Sequence, residues 1–477
     1  MKHIKNYLKD TGINIPVYKY LYKITTCLII FSLNVMNSSC SEFVDVDPPK
    51  NFLVAETVFN DPATVESALA NIYYKMREQG LVSGRYGVSS LLGIYSDELD
   101  YYLFNSEYQE FYGHSIISSN TVVSGWWSHA YNVIYAANDI IKGVKSSDAL
   151  SLEEKDVFLG QALFIRGYIH SLLVNLYGDI PYITTTNYLE NNIVVRIPEE
   201  TVYDNIIYDL TQAIPLLEGL EPSAERVIPN QATAIALLAR IYLYTEQYEL
   251  AEETATILIS NHNLETDITK VFLKDSRETL WQFKPNGISD MNTYEANEFV
   301  IQSIPGQAYA LSQTLLDEFE PNDLRVSNWI GTKISDDGST TLKFAYKYKA
   351  LFTELNSLEY SILFRLSEQY LIRAESRAKL GDVSGAQLDL NTIRNRAGLG
   401  NTSASNKEGL LNALLHERQV ELFTEFGHRW FDLKRLGLVE KILQPIKPNW
   451  KSTDVLLPIP ESELEKNPNL KPQNLGY

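Results

Sequence analysis

The residues that could do chemistry are concentrated in one short run. Tyr95-Ser96-Asp97-Glu98-Leu99-Asp100-Tyr101-Tyr102 is followed closely by Phe104, Tyr108, Phe111 and Tyr112. Aromatic rings offer flat apolar faces to the C–H groups of a sugar, and neighbouring carboxylates accept hydrogen bonds from its hydroxyls. Asp97, Asp100, Tyr101, Tyr102 and Tyr112 are therefore candidate ligand-binding residues. Any single ring in such a run could equally belong to the buried side of a helix. A second aromatic-polar stretch holds Tyr294, Trp329, Phe344, Tyr346 and Tyr348, and Tyr294 and Trp329 join the candidates.

Catalytic constellations do not emerge. The sequence has no G-x-x-x-x-G-K-[ST], no G-x-G-x-x-G and no G-x-S-x-G, which leaves nucleotide binding by those routes and the serine-hydrolase elbow unsupported. The seven histidines show no H-E-x-x-H spacing; His416-Glu417 meets Val420 one turn on. Glu417 and Glu421 form the best acid pair, one helical turn apart. Two carboxylates on one helix would struggle to straddle a glycosidic bond. Arg418, Arg429, Lys434 and Arg435 lie close in sequence, so ion pairing is the simpler account. Asp336-Asp337-Gly338 lacks the remaining ligands of a calcium loop and reads as a surface hairpin. No catalytic residue, metal ligand or cofactor is expected.

Helices must position these groups. Pro62 sits just inside a helix start, with Val65, Ala68, Leu69, Ile72 and Tyr73 at helical spacing. A second helix runs over 156–177 and stops at Tyr177-Gly178-Asp179-Ile180-Pro181. Trp127, Tyr131, Ile134 and Tyr135 share one helical face and read as core. Two later segments resemble each other. Ala239 and Ala251 are twelve apart, as are Ala374 and Ala386, with Gly381-Asp382 at a turn. Small residues there let paired helices approach closely, the tetratricopeptide logic. Each hairpin leaves an apolar face that only a neighbour can cover. An insertion over about 261–364 separates the two. Within it Thr279–Phe283 alternates as a strand, and Asn286-Gly287 and Asp337-Gly338 mark turns. Such irregular excursions are where binding surfaces usually lie.

The N-terminus reads as an address. Five lysines precede a short apolar run over 24–36, and Ser38-Ser39 lead to Cys40. The run is too short to span a bilayer, and the pattern is that of a secretory leader over 1–39 with Cys40 as the lipidation site. Cys27 falls in the leader, so the exported chain keeps one cysteine, at its first position. Residues 40–50 form an acidic, proline-containing tether and 51–477 a single body. No other segment is read as long and apolar enough to cross a membrane. The full chain of 477 residues carries 41 Lys+Arg against 60 Asp+Glu, a net charge of -19. That balance argues against nucleic acid as a partner. Its 30 tyrosines suit recognition as well as packing.

The C-terminal quarter carries longer patterns. Leu390-Asn391-Thr392-Ile393-Arg394-Asn395-Arg396-Ala397-Gly398-Leu399 is followed by Glu417-Arg418-Gln419-Val420-Glu421-Leu422. Then come Gly427-His428-Arg429-Trp430-Phe431-Asp432-Leu433-Lys434-Arg435-Leu436-Gly437 and Leu457-Pro458-Ile459-Pro460, and the chain closes on Asn474-Leu475-Gly476-Tyr477. In order and spacing the chain resembles the RagB/SusD family of outer-membrane nutrient-uptake lipoproteins. Tyr177-Gly178-Asp179-Ile180-Pro181, Trp127 with Tyr131 and Asn138, and the leader extend the resemblance over nearly the whole length.

The resemblance implies a mainly α fold, in which about four tetratricopeptide-like hairpins support a loop-rich ligand-binding half with a few short strands. It implies an outward-facing, lipid-anchored protein of the outer membrane. Such a protein would bind an oligosaccharide, or alternatively a peptide, and deliver it to a TonB-dependent transporter without catalysis. The shared Arg429, Trp430, Asp432 and Arg435 would lock helices and the terminal tail. A secreted glycoside hydrolase and a purely structural scaffold stand as the alternatives.

Overall fold

A computed structural model describes residues 58–288 and 290–477. The leader, Cys40 and the tether lie outside the described residues. The architecture is mainly helical, as expected. Asp61 accepts from the Ala63 amide and starts α1 (Pro62–Glu78), which buries Val65, Leu69 and Ile72. Then follow α2 (Val88–Tyr95), β1 (Leu99–Tyr101), α3 (Ser106–Tyr112) and the long pair α4 (Thr121–Ser146) and α5 (Leu152–Tyr177). A capping box of Ser151 and Glu154 opens α5, and Gly178, at φ +72°, ends it. By length and composition α5 could cross a bilayer, which corrects the expectation that no further segment is long and apolar enough to do so. Of its apolar window, 89% is covered by other parts of the body. It is a core helix, packed between α4 and α7 (Glu199–Leu216), which follows the short α6 (Tyr188–Asn191).

The two similar hairpins are α8 (Gln231–Tyr244) with α9 (Tyr248–Asn261), and α13 (Leu366–Leu380) with α14 (Val383–Arg396). Ala239, Ala251, Ala374 and Ala386 are fully buried, and α9 packs directly on α13. Each hairpin thus covers the apolar face that the other leaves open, although a long insertion separates them in sequence. β2 (Thr279–Phe283) pairs antiparallel with β6 (Ser361–Arg365), closing the base of that insertion. Between them lie α10 (Tyr294–Phe299), β3 (Tyr309–Leu311), α11 (Gln313–Leu316), α12 (Leu324–Trp329) and the hairpin β4 (Ile330–Ile334) with β5 (Thr341–Ala345). Asp336-Asp337-Gly338 is the tip of that hairpin: the Ser335 and Ser339 hydroxyls and the Ser339 amide donate to Asp337. The chain finishes with α15 (Lys407–Leu422), α16 (His428–Arg435), α17 (Val439–Leu443) and α18 (Glu461–Lys466).

Glu417 and Glu421 are fully buried in ion pairs. Arg325 donates to both, Arg394 to Glu417, and Arg365 and Arg396 to Glu421. Arg418 and Arg435 both reach Asp432, and Arg435 also forks onto Glu375 of α13. Removing one partner from such a group strands a buried charge, at a cost of about 3–5 kcal/mol. Arg435 and Asp432 therefore tie α13, α15 and α16 together, as the resemblance implies. The terminal tail is held by other residues: Asn474 donates to the Tyr177 and Leu457 carbonyls, and Arg196 donates to the Pro472 carbonyl.

Candidate ligand-binding surface

Two distant stretches meet through a three-residue ladder. β1 pairs antiparallel with β3, placing Asp100 opposite Ala310 and Tyr101 opposite Tyr309, and the Tyr102 amide extends the ladder to the Ala308 carbonyl. The Asp97–Tyr112 run and the insertion thereby share one face. After β1 the chain turns out into solvent. Tyr102 is 39% exposed and Phe104 fully so, before Asn105 accepts from the Tyr108 amide and starts α3. Tyr101 turns inward, its ring 5.7 Å from that of Tyr108 and 5.6 Å from that of Tyr309. Tyr112 donates to Asp100 Oδ1 at 3.1 Å. Burial, with Asp100 adding to it, pushes the Tyr112 hydroxyl up to about 12. Lys447 Nζ stands 4.1 Å from the Tyr112 ring centre, and burial lowers its ammonium to about 8.

The loop after α1 supplies the neighbouring part. Gly84 sits at φ +86°, and a Cβ there would come within 2.9 Å of the Arg77 carbonyl oxygen. Only glycine lets the loop fold this tightly onto the end of α1. The fold-back leaves Arg85 and Tyr86 exposed. The Tyr86 ring meets Tyr108 edge-on at 6.0 Å, and its carbonyl accepts from Trp126 Nε1 at 2.6 Å. Tyr294, at the start of α10, donates to Glu78 Oε2 and meets Phe352 edge-on at 5.1 Å. One turn further on is half-buried Glu298. Burial raises its carboxyl to about 7, and Arg85 opposes the shift. The Glu298 carboxylate makes no hydrogen bond, and Gln307 Oε1 has no partner. Buried polar atoms are rarely left so.

The structure separates the sequence-derived candidates. Asp100, Tyr101, Tyr102 and Tyr112 form one group on and under β1, and Tyr294 borders it through α10. Asp97 does not belong with them. It is 2% exposed and accepts both arms of Arg429, at 2.8 and 2.6 Å, which joins α16 to the segment before β1. Trp329 is corrected likewise. It is 1% exposed, donates to the Ile268 carbonyl at 3.1 Å and packs on Phe272. Irregular loop sequence hid a core position there. Arg85, Tyr86 and Glu298 were missed. Gly84-Arg85-Tyr86-Gly87 does carry a signal: an aromatic and a cation framed by glycines mark an exposed turn. A separate cavity of about 580 Å³ lies between α1, α5 and the 283–286 loop, with mainly apolar walls.

These features define a class: a helical-repeat scaffold carrying a non-repetitive surface of exposed rings and unpaired polar groups. A family model described as "Starch-binding associating with outer membrane" matches residues 42–243, and one described as "SusD family" matches 330–477. The chain belongs to the SusD/RagB family. It is 27% identical to a SusD-like protein of Formosa agariphila, over 96% of this chain and 99% of that one. It is 24% identical to a SusD-like protein of Bacteroides ovatus, over 90% and 86%. A SusD superfamily structure from Bacteroides vulgatus aligns with TM-score 0.78 at 22% identity, covering 88% of this chain and all of that one. A structure described as a laminarin-binding SusD-like protein aligns with TM-score 0.75 at 23% identity, over 87% and 99%. A surface glycan-binding protein from Bacteroides fluxus aligns with TM-score 0.71 at 23% identity, over 87% and 99%.

Proposed function

We propose that this protein is an outer-membrane lipoprotein, anchored through Cys40 and facing outward. It binds an oligosaccharide on the surface around Tyr86, Tyr102, Phe104 and Tyr294 and delivers it to a TonB-dependent transporter. The observation that carries this reading is Phe104, a fully exposed ring in the same turn as half-exposed Tyr102, with half-exposed Tyr86 set edge-on to Tyr108 of the helix that follows. Open rings are rarely clustered without a ligand. Asp100, Arg85, Glu298 and Gln307 supply polar groups for hydroxyls beside them, while Tyr101, Tyr112 and Asp97 hold the surface from below. Family membership supports the membrane location and the transporter partner, and the glycan-binding structural relatives support a sugar as ligand.

A role without catalysis is favoured because Glu417 and Glu421 are committed to arginines in the interior, so they are not free to serve as acid and base. The test is calorimetric titration of the purified chain against laminarin- and starch-derived oligosaccharides and a peptide panel. Sugar binding that Phe104→Ala weakens about tenfold is the expected result. Peptide binding with no sugar binding would replace the sugar by a peptide. Co-purification with a TonB-dependent transporter from outer membranes checks the partner.

A further inference from the structure

Helix α4 carries Trp127, Tyr131 and Tyr135 at four-residue spacing, so the three rings form one stripe. Trp127 is buried, with its ring centre 5.0 Å from that of Tyr131, and Tyr131 donates to the Pro181 carbonyl at 2.9 Å. Core packing, expected for the whole stripe, ends there. Tyr135 is 48% exposed and its hydroxyl has no protein partner. The stripe is one wall of a cavity of about 360 Å³. That volume lies at the small end of ligand pockets, roughly 300–1,000 Å³.

The facing wall comes from the end of α6 and from α18, and it is fixed in place. Asn191 Nδ2 donates to the Thr185 carbonyl at 2.9 Å, and Asn467 Nδ2 donates to the Val194 carbonyl at 2.8 Å. Asn191 Oδ1, by contrast, is shielded from solvent and accepts no hydrogen bond. An unpaired buried carbonyl is costly, so a small turn of the Asn191 amide that opens Oδ1 to the cavity is favoured once a ligand donor is there to satisfy it. The exposed side-chain amides of Asn132 and Asn192 also line the cavity and make no protein hydrogen bond. The two charges present, Glu463 and Lys466, pair with each other at 2.7 Å. Little net charge remains to attract an ionic ligand.

We propose that this cavity is a second binding site, for a neutral hexose-type sugar ring. The ring's C–H face lies on Tyr135, and its hydroxyl edge donates to Asn191 Oδ1 and exchanges hydrogen bonds with the neighbouring amides. No residue of this cavity belongs to the surface around Phe104, so the two sites succeed or fail separately.

The test uses the full chain and saturation-transfer NMR with methyl α-glucoside, methyl α-galactoside and methyl α-mannoside. At least one glycoside is expected to bind with a Kd of about 1–10 mM, as suits one sugar ring. Phe104→Ala leaves that Kd unchanged, whereas Tyr135→Ala and Asn191→Ala each weaken it about tenfold. Tyr135 is half in solvent, so its variant keeps the wild-type melting temperature and decides the matter if Asn191→Ala misfolds. The proposal is overturned by absence of binding at about 50 mM glycoside. Binding untouched by Tyr135→Ala, or lost in Phe104→Ala, also overturns it.

Discussion

Arg429→Ala is the sharpest test of where the ligand surface ends and its framework begins. Arg429 grips Asp97 through two hydrogen bonds of 2.8 and 2.6 Å, both residues are buried, and the pair joins α16 to the segment leading into β1, the strand that ends at Tyr101. Truncation leaves the Asp97 carboxylate buried beside Glu98, with no hydrogen-bonded cation and only the more distant Lys447 ammonium to offset its charge. The expected loss is about 3–5 kcal/mol, whereas Arg429→Lys, which keeps the charge but loses the fork, costs roughly 1–2 kcal/mol. Urea unfolding followed by circular dichroism reads the difference. With a slope of about 3 kcal/mol/M, the midpoint of Arg429→Ala falls by roughly 1–1.7 M. Asp97→Asn should destabilise the fold by a similar mechanism while the folded fraction retains sugar affinity. The reasoning fails if Arg429→Ala costs under about 1 kcal/mol. It fails equally if Asp97→Asn keeps full stability and loses all binding, because Asp97 would then be a ligand contact.

Three further outcomes follow from the same geometry. Phe104→Ala, at a fully exposed ring, should leave the melting temperature unchanged and weaken oligosaccharide binding about tenfold, or ~1.4 kcal/mol, by calorimetry. Gly84→Ala forces a left-handed backbone on alanine and sets its Cβ against the Arg77 carbonyl. It should cost about 1–2 kcal/mol and show as faster hydrogen exchange at the Val88 amide, which bonds Leu81 across the loop. The third is an acid limb. Burial opposes ionisation of Asp432, but Arg418 and Arg435 outweigh it and hold the carboxyl at about 2. The folded value lies below the unfolded one, so this stabilisation is complete above about pH 4 and disappears as the pH falls through 2. Its size is about 2–3 kcal/mol, and Asp432→Asn should flatten the acid limb of the stability profile.

The parts of the fold legible in the sequence were those with a period. Alanines twelve apart located both hairpins, because close helix packing demands small residues at fixed spacing. Their contact across the insertion was not legible, since nothing local records that β2 and β6 would pair. The Glu417–Glu421 pair was read correctly as structural because cations surrounded it in sequence. Its main partners, Arg325, Arg365 and Arg396, come from elsewhere in the chain and only the fold reveals them. On the proposed ligand surface, β1 separates neighbouring candidates that the sequence could not tell apart. Alternation along a strand sends successive side chains to opposite faces, so Tyr101 turns in and Tyr102 out. Composition alone counts them as equals.

Trp329 and Phe104 show what decides such cases. Both are aromatic residues in polar, irregular stretches, and the tryptophan looked the stronger candidate. Yet an indole brings a donor that must be satisfied, and the Ile268 carbonyl satisfies it in the interior, where Phe272 and Lys347 close over the ring. Phe104 has no polar atom to anchor it, and it directly precedes Asn105, whose side chain starts α3. The turn from 102 to that cap is exposed throughout, and the ring stands out from it into solvent. An apolar ring fixed in water by its neighbours' hydrogen bonds is a standing cost to the free protein, which burial under a ligand removes. The same reasoning singles out Tyr135 on α4, where a packing stripe runs past the edge of its core. In both places the informative quantity is the mismatch between what a side chain would bury and what the backbone lets it bury.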